Sequence, residues 1–226
     1  MDATGFLEVV KRKGEMISKK KLICLIIFIS LWVSISHCFG GWLIYHKPEF
    51  KGKVIDAESK APIEGAVAVV VYNKHSLISG PGGGYSSVIK VKEMLTDNNG
   101  EFHFPAYTTL IQPNSVEDFA EFIIYKPGYG NFPNQQTIPR GLGAESEELF
   151  FSKGIGNTGE LEALVHGEIK MIKITFGIVE LPMIKSVEEW LKSQPSTPTD
   201  FGAKELPLLY QAINEERKRH GLGEVK

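Results

Sequence analysis

The run Gly65-Ala66-Val67-Ala68-Val69-Val70-Val71-Tyr72 is apolar and rich in β-branched side chains. Such residues are stiff at χ1 and favour an extended chain, whose successive side chains point to opposite faces. With no polar face, the run predicts a central strand covered on both sides. The rest of the chain must then supply a layer for each face. Upstream, Phe50 to Ala57 reads as a first strand, with Val54 and Ile55 between polar neighbours. Asp56-Ala57-Glu58-Ser59-Lys60 with Pro62 is the turn chemistry between the two.

Downstream, Asn73 to Ser87 reads as a loop. Val88 to Thr96 alternates, with Val88, Lys90, Lys92 and Met94 on one face and Ile89, Val91 and Leu95 mostly on the other. Asp97-Asn98-Asn99-Gly100 is a hairpin signal, because Asn and Gly accept positive φ. Phe102 and Phe104 then share one side of a strand and Glu101 and His103 the other. Asn114 to Asp118 predicts a short capped helical turn. Glu121 to Tyr125 predicts another strand, ended by Lys126-Pro127-Gly128-Tyr129.

The remainder is less regular. Gly130 to Gly159 reads as loop with a short strand at Leu149-Phe150-Phe151, and residues 160–167 are mixed. Glu168 to Leu181 alternates and predicts one strand that rejoins the sheet. Ser186 to Glu189 is a capping box opening a short helix through Trp190 and Leu191. After a Pro-rich linker at 194–198, Pro207 and Gly221 bracket a last helix with the apolar stripe Leu206, Leu209, Tyr210 and Ile213. Short strands separated by turn signals make the fold class mainly β, a sandwich or barrel with short C-terminal helices.

The N-terminus carries an address. Lys19-Lys20-Lys21 precedes Leu22 to Ser36, and no Asp, Glu, Lys or Arg occurs through Tyr45. A basic stretch, an apolar stretch and small residues make a secretory signal, and the uncharged run also has the length of a bilayer-spanning helix, about 20 residues. Three readings stay open: a cleaved signal, with Ser34 and Ser36 suited to signal peptidase; a retained anchor; or a lipoprotein signal. For the last, Ile35-Ser36-His37-Cys38 resembles a bacterial lipobox with Cys38 as the lipidated residue, although His37 stands where Gly or Ala is expected. All three export the body, because basic flanks stay in the cytoplasm. The expected location is therefore membrane-associated, periplasmic or at the cell surface.

Charge narrows the partners. Of 25 basic and 27 acidic residues, six basic and three acidic ones fall in residues 1–21, leaving a body with a net charge of −5. An acidic body argues against nucleic acid, which selects a basic face. Cys24 and Cys38 are the two cysteines, so a disulfide framework is excluded.

An ordered set of motifs carries a resemblance. Gly52-Lys53-Val54-Ile55-Asp56, Pro62-Ile63-Glu64-Gly65-Ala66, Thr96-Asp97 with Gly100-Glu101-Phe102, and Tyr125-Lys126-Pro127-Gly128-Tyr129 together resemble the carboxypeptidase regulatory-like domain over about residues 50–130. The resemblance implies a transthyretin-like (prealbumin-like) β-sandwich that accompanies enzymes, surface proteins and receptors without being catalytic. The expected organisation is a signal or anchor at 1–45, the sandwich with loop insertions at 50–182 and a helical extension at 183–226. The related fold has an enzyme branch acting on 5-hydroxyisourate with a Tyr-Arg-Gly-Ser ending; that ending is absent here.

Candidate chemistry is sparse. The glycine loop Gly80-Pro81-Gly82-Gly83-Gly84 lacks the Gly-Lys-Ser/Thr ending of a phosphate loop. His46, His75, His103, His166 and His220 are scattered, without zinc-ligand spacing. The Asp97–Glu101 stretch lacks the register of a calcium loop. No Gly-x-Ser-x-Gly elbow occurs. The expectation is thus no catalytic residue, no cofactor and no metal. Tyr125, Tyr129 and Phe132, with nearby Asn and Gln, offer rings and amides suited to a glycan. The expected ligand contacts are Gly82, Gly83 and Tyr85 of the glycine loop, with Tyr129 and Phe132. The partners implied are the membrane and a protein or glycan. An assembly role for the anchor and last helix, or a hydrolase using His103, Asp97 or Glu101, are the alternatives.

Overall fold

A computed structural model describes residues 44–77, 85–133, 143–165, 167–198 and 201–225. The N-terminal address with Cys38, the glycines 80–84, the amides 134–136 and His166 lie outside the described residues.

The described chain is mainly β, in open sheets. Strand β2 (Phe50–Asp56) is central in one sheet, between antiparallel β5 (Glu101–Phe104) and parallel β10 (Ile178–Leu181). Strand β3 (Val67–Ser76) is central in a second, between antiparallel β4 (Ser86–Leu95) and β7 (Ser115–Tyr125). Strands β1 (Ile44–Lys47) and β6 (Tyr107–Leu110) form an antiparallel ribbon, and β8 (Thr158–Val165) and β9 (Glu168–Thr175) form another. Three helices follow: α1 (Gly143–Ser152), α2 (Val187–Lys192) and α3 (Pro207–Arg219).

Strand β3 explains the packing. Its inner residues Ala68, Val70 and Tyr72 meet Val54, Phe102, Phe104 and Val179 of the β2 sheet in one core. Its outer residues Val67, Val69 and Val71 lie under Leu206, Leu209 and Ile213 of the α3 region. Both faces of the apolar run are covered, and the stripe read on the last helix is what covers one of them. Glu93 of β4 fixes the start of α3: its two carboxylate oxygens accept the Leu208 and Leu209 amides at 2.7 and 3.0 Å. Those amides have no partner inside the helix, so a carboxylate there satisfies them and matches the positive helix end. Ser186 caps α2 by accepting the Glu189 amide, while Glu189 reaches back to the Lys185 amide.

Several expectations are corrected. The Asp97–Gly100 turn forms, with the Gly100 amide donating to the Asp97 carbonyl at 2.9 Å and the Asp97 carboxylate accepting the Asn99 and Glu101 amides. It does not close a hairpin: β4 pairs with β3 and β5 with β2, so the turn carries the chain between sheets. Asn73 to Ser76 extend β3 rather than opening a loop, because Ser86–Val88 and Ser115–Glu117 flank them with backbone partners. A register shift after Tyr72 accompanies a change of phase in β4: Ile89 joins Met94 against the inner core, and Val88 joins Val91 on the outer face. Ser115 to Asp118 start β7 instead of a helical turn, since pairing with β3 supplies their hydrogen bonds. Leu149-Phe150-Phe151 is helical, and the two phenylalanines of α1 enter the inner core. The stretch from Glu168 to Leu181 is two strands, broken at Gly177, whose φ of 77° does not fit a strand. Only its second half joins the sheet; the first pairs with β8 over the residues that read as mixed.

Candidate functional site

Strand β7 is an edge of its sheet, and what covers that edge shapes a groove. Its inner residues Ala120, Phe122 and Ile124 point into the core, and Ile123 and Tyr125 lie on the α3 face. An unpaired strand edge must be covered or blunted. Glu148 of α1 does so at one point, accepting the Ala120 amide at 2.9 Å. Phe132 does so at another, exchanging two backbone hydrogen bonds with Ile124 at 2.9 and 3.2 Å. Between these covers lies a groove of about 360 Å³. Phe119, Phe122, Ile123, Pro133 and Pro198 give it apolar walls, Glu121 and Glu147 give it carboxylates, and Ser196 and Thr197 give it hydroxyls. Among the described residues no lysine or arginine lines it. The volume lies at the small end of ligand pockets, and the lining suits an apolar group carrying a positive charge.

Helix α1 is held in place by charge. The Lys47 ammonium, from β1, contacts both Glu148 oxygens at 3.0 and 2.8 Å and a Glu117 oxygen at 2.9 Å. Its side chain is 5% exposed, against 19% for Glu148 and 38% for Glu117. Glu148 thus ties β1, β7 and α1 together, and its neighbour Glu147 faces the groove.

A second polar cluster lies among aromatic rings inside the molecule. Tyr45, Tyr72 and Tyr107 pack with centroids 4.6 to 6.3 Å apart, and the Lys92 ammonium sits 4.8 Å from the Tyr107 ring and 5.6 Å from the Tyr72 ring. Burial pushes the Tyr72 phenol up to about 12, raises Tyr45 further and lowers the Lys92 ammonium. The two phenols stay protonated at neutral pH, so they serve as rings and hydroxyl dipoles and not as bases.

The expected contact residues do not converge. Tyr85 precedes β4 at one end of the β3 sheet, and its carbonyl accepts the Ser76 amide. Tyr129 follows β7 at the other end, roughly 30 Å away for ten extended residues. Burial first, then the neighbouring Asp56 carboxylate, raises the Tyr129 phenol. Phe132 is 1% exposed and packs on Phe151, so its ring is a core residue and not a ligand face. Its neighbour Pro133 reaches the groove instead. Gly82, Gly83 and Cys38 lie outside the described residues. Asp97 spends its carboxylate on turn amides, and His103 pairs with Glu49 at 3.1 Å, so these do not form a cluster. Among the described residues no group of three His, Cys, Asp or Glu is placed to hold a metal ion, and no helix is long and apolar enough to cross a membrane.

Sequence reasoning missed Phe119, Glu121, Glu147 and the 196–198 segment. The available signal was small: an aromatic and an acid two residues apart on one face of a strand, and a Pro-rich segment that reads as a linker. No family model matches this chain, and neither a curated protein nor a solved structure does.

Proposed function

We propose that this chain is a non-catalytic, exported cell-envelope protein whose β-sandwich, transthyretin-like and of the carboxypeptidase regulatory-like type, is a binding or scaffolding module tethered through its N-terminal segment. The groove beside β7 carries the binding reading. It joins apolar walls to two carboxylates and is built by three separated segments, two of them pinned to one strand edge. Such a lining favours a basic, partly apolar side chain or peptide of a partner over an acidic one. The uncharged run behind three lysines supports the tether.

The test is a topology reporter. Alkaline phosphatase fused after Lys226 and expressed in a bacterium is expected to be active, because that enzyme matures only after export. An inactive fusion in intact, well-expressing cells would remove the envelope reading. A second reading, an assembly subunit held by its anchor, draws on the β8–β9 ribbon, which exposes Ile169 and Met171. Two residues apart on β9, they share one face of the strand, and a contiguous exposed apolar patch marks a contact surface.

A further inference from the structure

The strand order places the start of β1 at one particular end of the molecule. There β3 finishes at Ser76, β4 begins at Ser86 and β7 begins at Ser115. Two backbone bonds tie this end together: the Ser76 amide to the Tyr85 carbonyl, and the Leu77 amide to the Asn114 carbonyl. Strand β6 ends here as well, at Leu110, directly opposite Ile44 in the β1–β6 register.

Four of the exposed large apolar side chains lie at this end. Ile44 is 49% and Leu110 78% exposed, and Leu77, just after β3, and Tyr85, just before β4, are exposed as well. Alternation rules out an accident of a buried face: Tyr45 and Lys47 point inward, so Ile44 and His46 point outward. The outward pairs are graded. Ile44 opposite Leu110 is apolar, and one step further from the end His46 opposite Thr108 is polar, with their side chains hydrogen-bonded at 2.7 Å. An apolar rim followed by a polar belt is the order of chemistry met on leaving a bilayer, and tyrosine is enriched at that depth.

The chain outside the described residues says what covers this rim. The uncharged run from Leu22 reaches Tyr45 without Asp, Glu, Lys or Arg. Ser36 and Ile44 are eight residues apart, so the end of its most apolar part lies within roughly 27 Å of the rim even if fully extended. We infer that this end of the sheets is a bilayer-resting surface, in which Ile44 and Leu110, with Leu77 and Tyr85, seat in the lipid interface that the N-terminal segment enters. The inference rests on the tethered reading above and adds an orientation to it. Weak apolar contacts suffice, because the tether holds the rim at high effective concentration. The groove beside β7 then stands clear of the membrane, open to a partner in the aqueous phase.

The experiment uses the full chain in proteoliposomes of phosphatidylethanolamine and phosphatidylglycerol. The photoreactive residue p-benzoylphenylalanine replaces Leu110 or Ile44 in the test proteins and Leu95 in the control. Leu95 matches Ile44 in exposure at 47% but lies at the far end of β4, about 30 Å from Ser86. Flotation is measured first and lipid adducts are then counted by mass. Flotation with lipid adducts at residues 110 and 44 roughly tenfold above residue 95 is expected, since the interfacial zone is only some 5–8 Å deep on each side. Flotation with equal adducts at all three positions overturns the resting surface and leaves the tether standing. Flotation with cross-links to protein in place of lipid overturns it too, and makes the rim a protein contact. Failure to float overturns the tether and this inference together.

Discussion

Replacing Glu148 by Gln tests how the groove is held. The amide keeps an oxygen for the Ala120 amide at 2.9 Å but removes one of two charges on Lys47. Stranding a buried charge completely costs about 3–5 kcal/mol, whereas breaking an exposed ion pair costs at most about 1 kcal/mol. Lys47 is buried, but the half-exposed Glu117 remains at 2.9 Å, so the loss falls between these limits, at about 2 kcal/mol. For a domain of this size that is a fall in melting temperature of about 4–8 °C. Glu117→Gln removes the more exposed partner and is expected to cost about 1 kcal/mol or less. In the double variant Lys47→Met/Glu148→Gln no cation is left buried, so the loss is smaller than the sum of the single losses by about 1–2 kcal/mol. The assay is thermal unfolding of the full chain followed by near-ultraviolet circular dichroism, with urea titration for the free energies. The reasoning is refuted if Glu117→Gln costs as much as Glu148→Gln, or if the double variant loses the full sum. Glu148→Gln should also weaken binding in the groove, because Glu147 rides on the same helix.

Leu209 is fully buried between α3 and the outer face of β3, so Leu209→Ala is expected to lose about 3–5 kcal/mol in urea unfolding. Glu93→Ala strips the carboxylate from the start of α3 and should cost about 1–2 kcal/mol, with faster proteolysis after residue 206 as the local readout. Gly100 has a φ of 75°, and a β-carbon there would clash with the Val54 carbonyl oxygen, so Gly100→Ala should cost more than about 2 kcal/mol by denaturant titration. The Asp56 carboxyl is held below its ordinary range first by the Ser59 amide and then by the Ser59 hydroxyl. A depressed folded value contributes stability that is complete above the ordinary Asp range and lost as pH falls through it, so melting temperature should drop below about pH 4 and drop less in Asp56→Asn.

Sequence alone determined what depends on neighbours a few residues away. The β-branched run announces a strand covered on both faces, because side-chain period and χ1 stiffness are local properties. The Ser186–Glu189 cap and the Gly221 stop are equally local, since the Glu189 and Gly221 amides find their partners three residues away, whereas the start of α3 at Pro207 is not, because its Leu208 and Leu209 amides turn to Glu93 of β4. Tertiary structure decided the rest. Asp97–Gly100 specifies a turn, but a turn fixes backbone angles and not strand partners, so only packing sends β5 to β2 and leaves β4 on β3. Asn114 to Asp118 has local capping chemistry, and pairing along β3 overrides it. Phe150 and Phe151 look like strand residues until two aromatic faces in the inner core accept a helix. The groove draws on residues 119, 121–123, 133, 147 and 196–198, which meet only because an edge strand had to be covered. No spacing in a one-dimensional chain records that need, whereas the apolar run that created the edge was legible from the start.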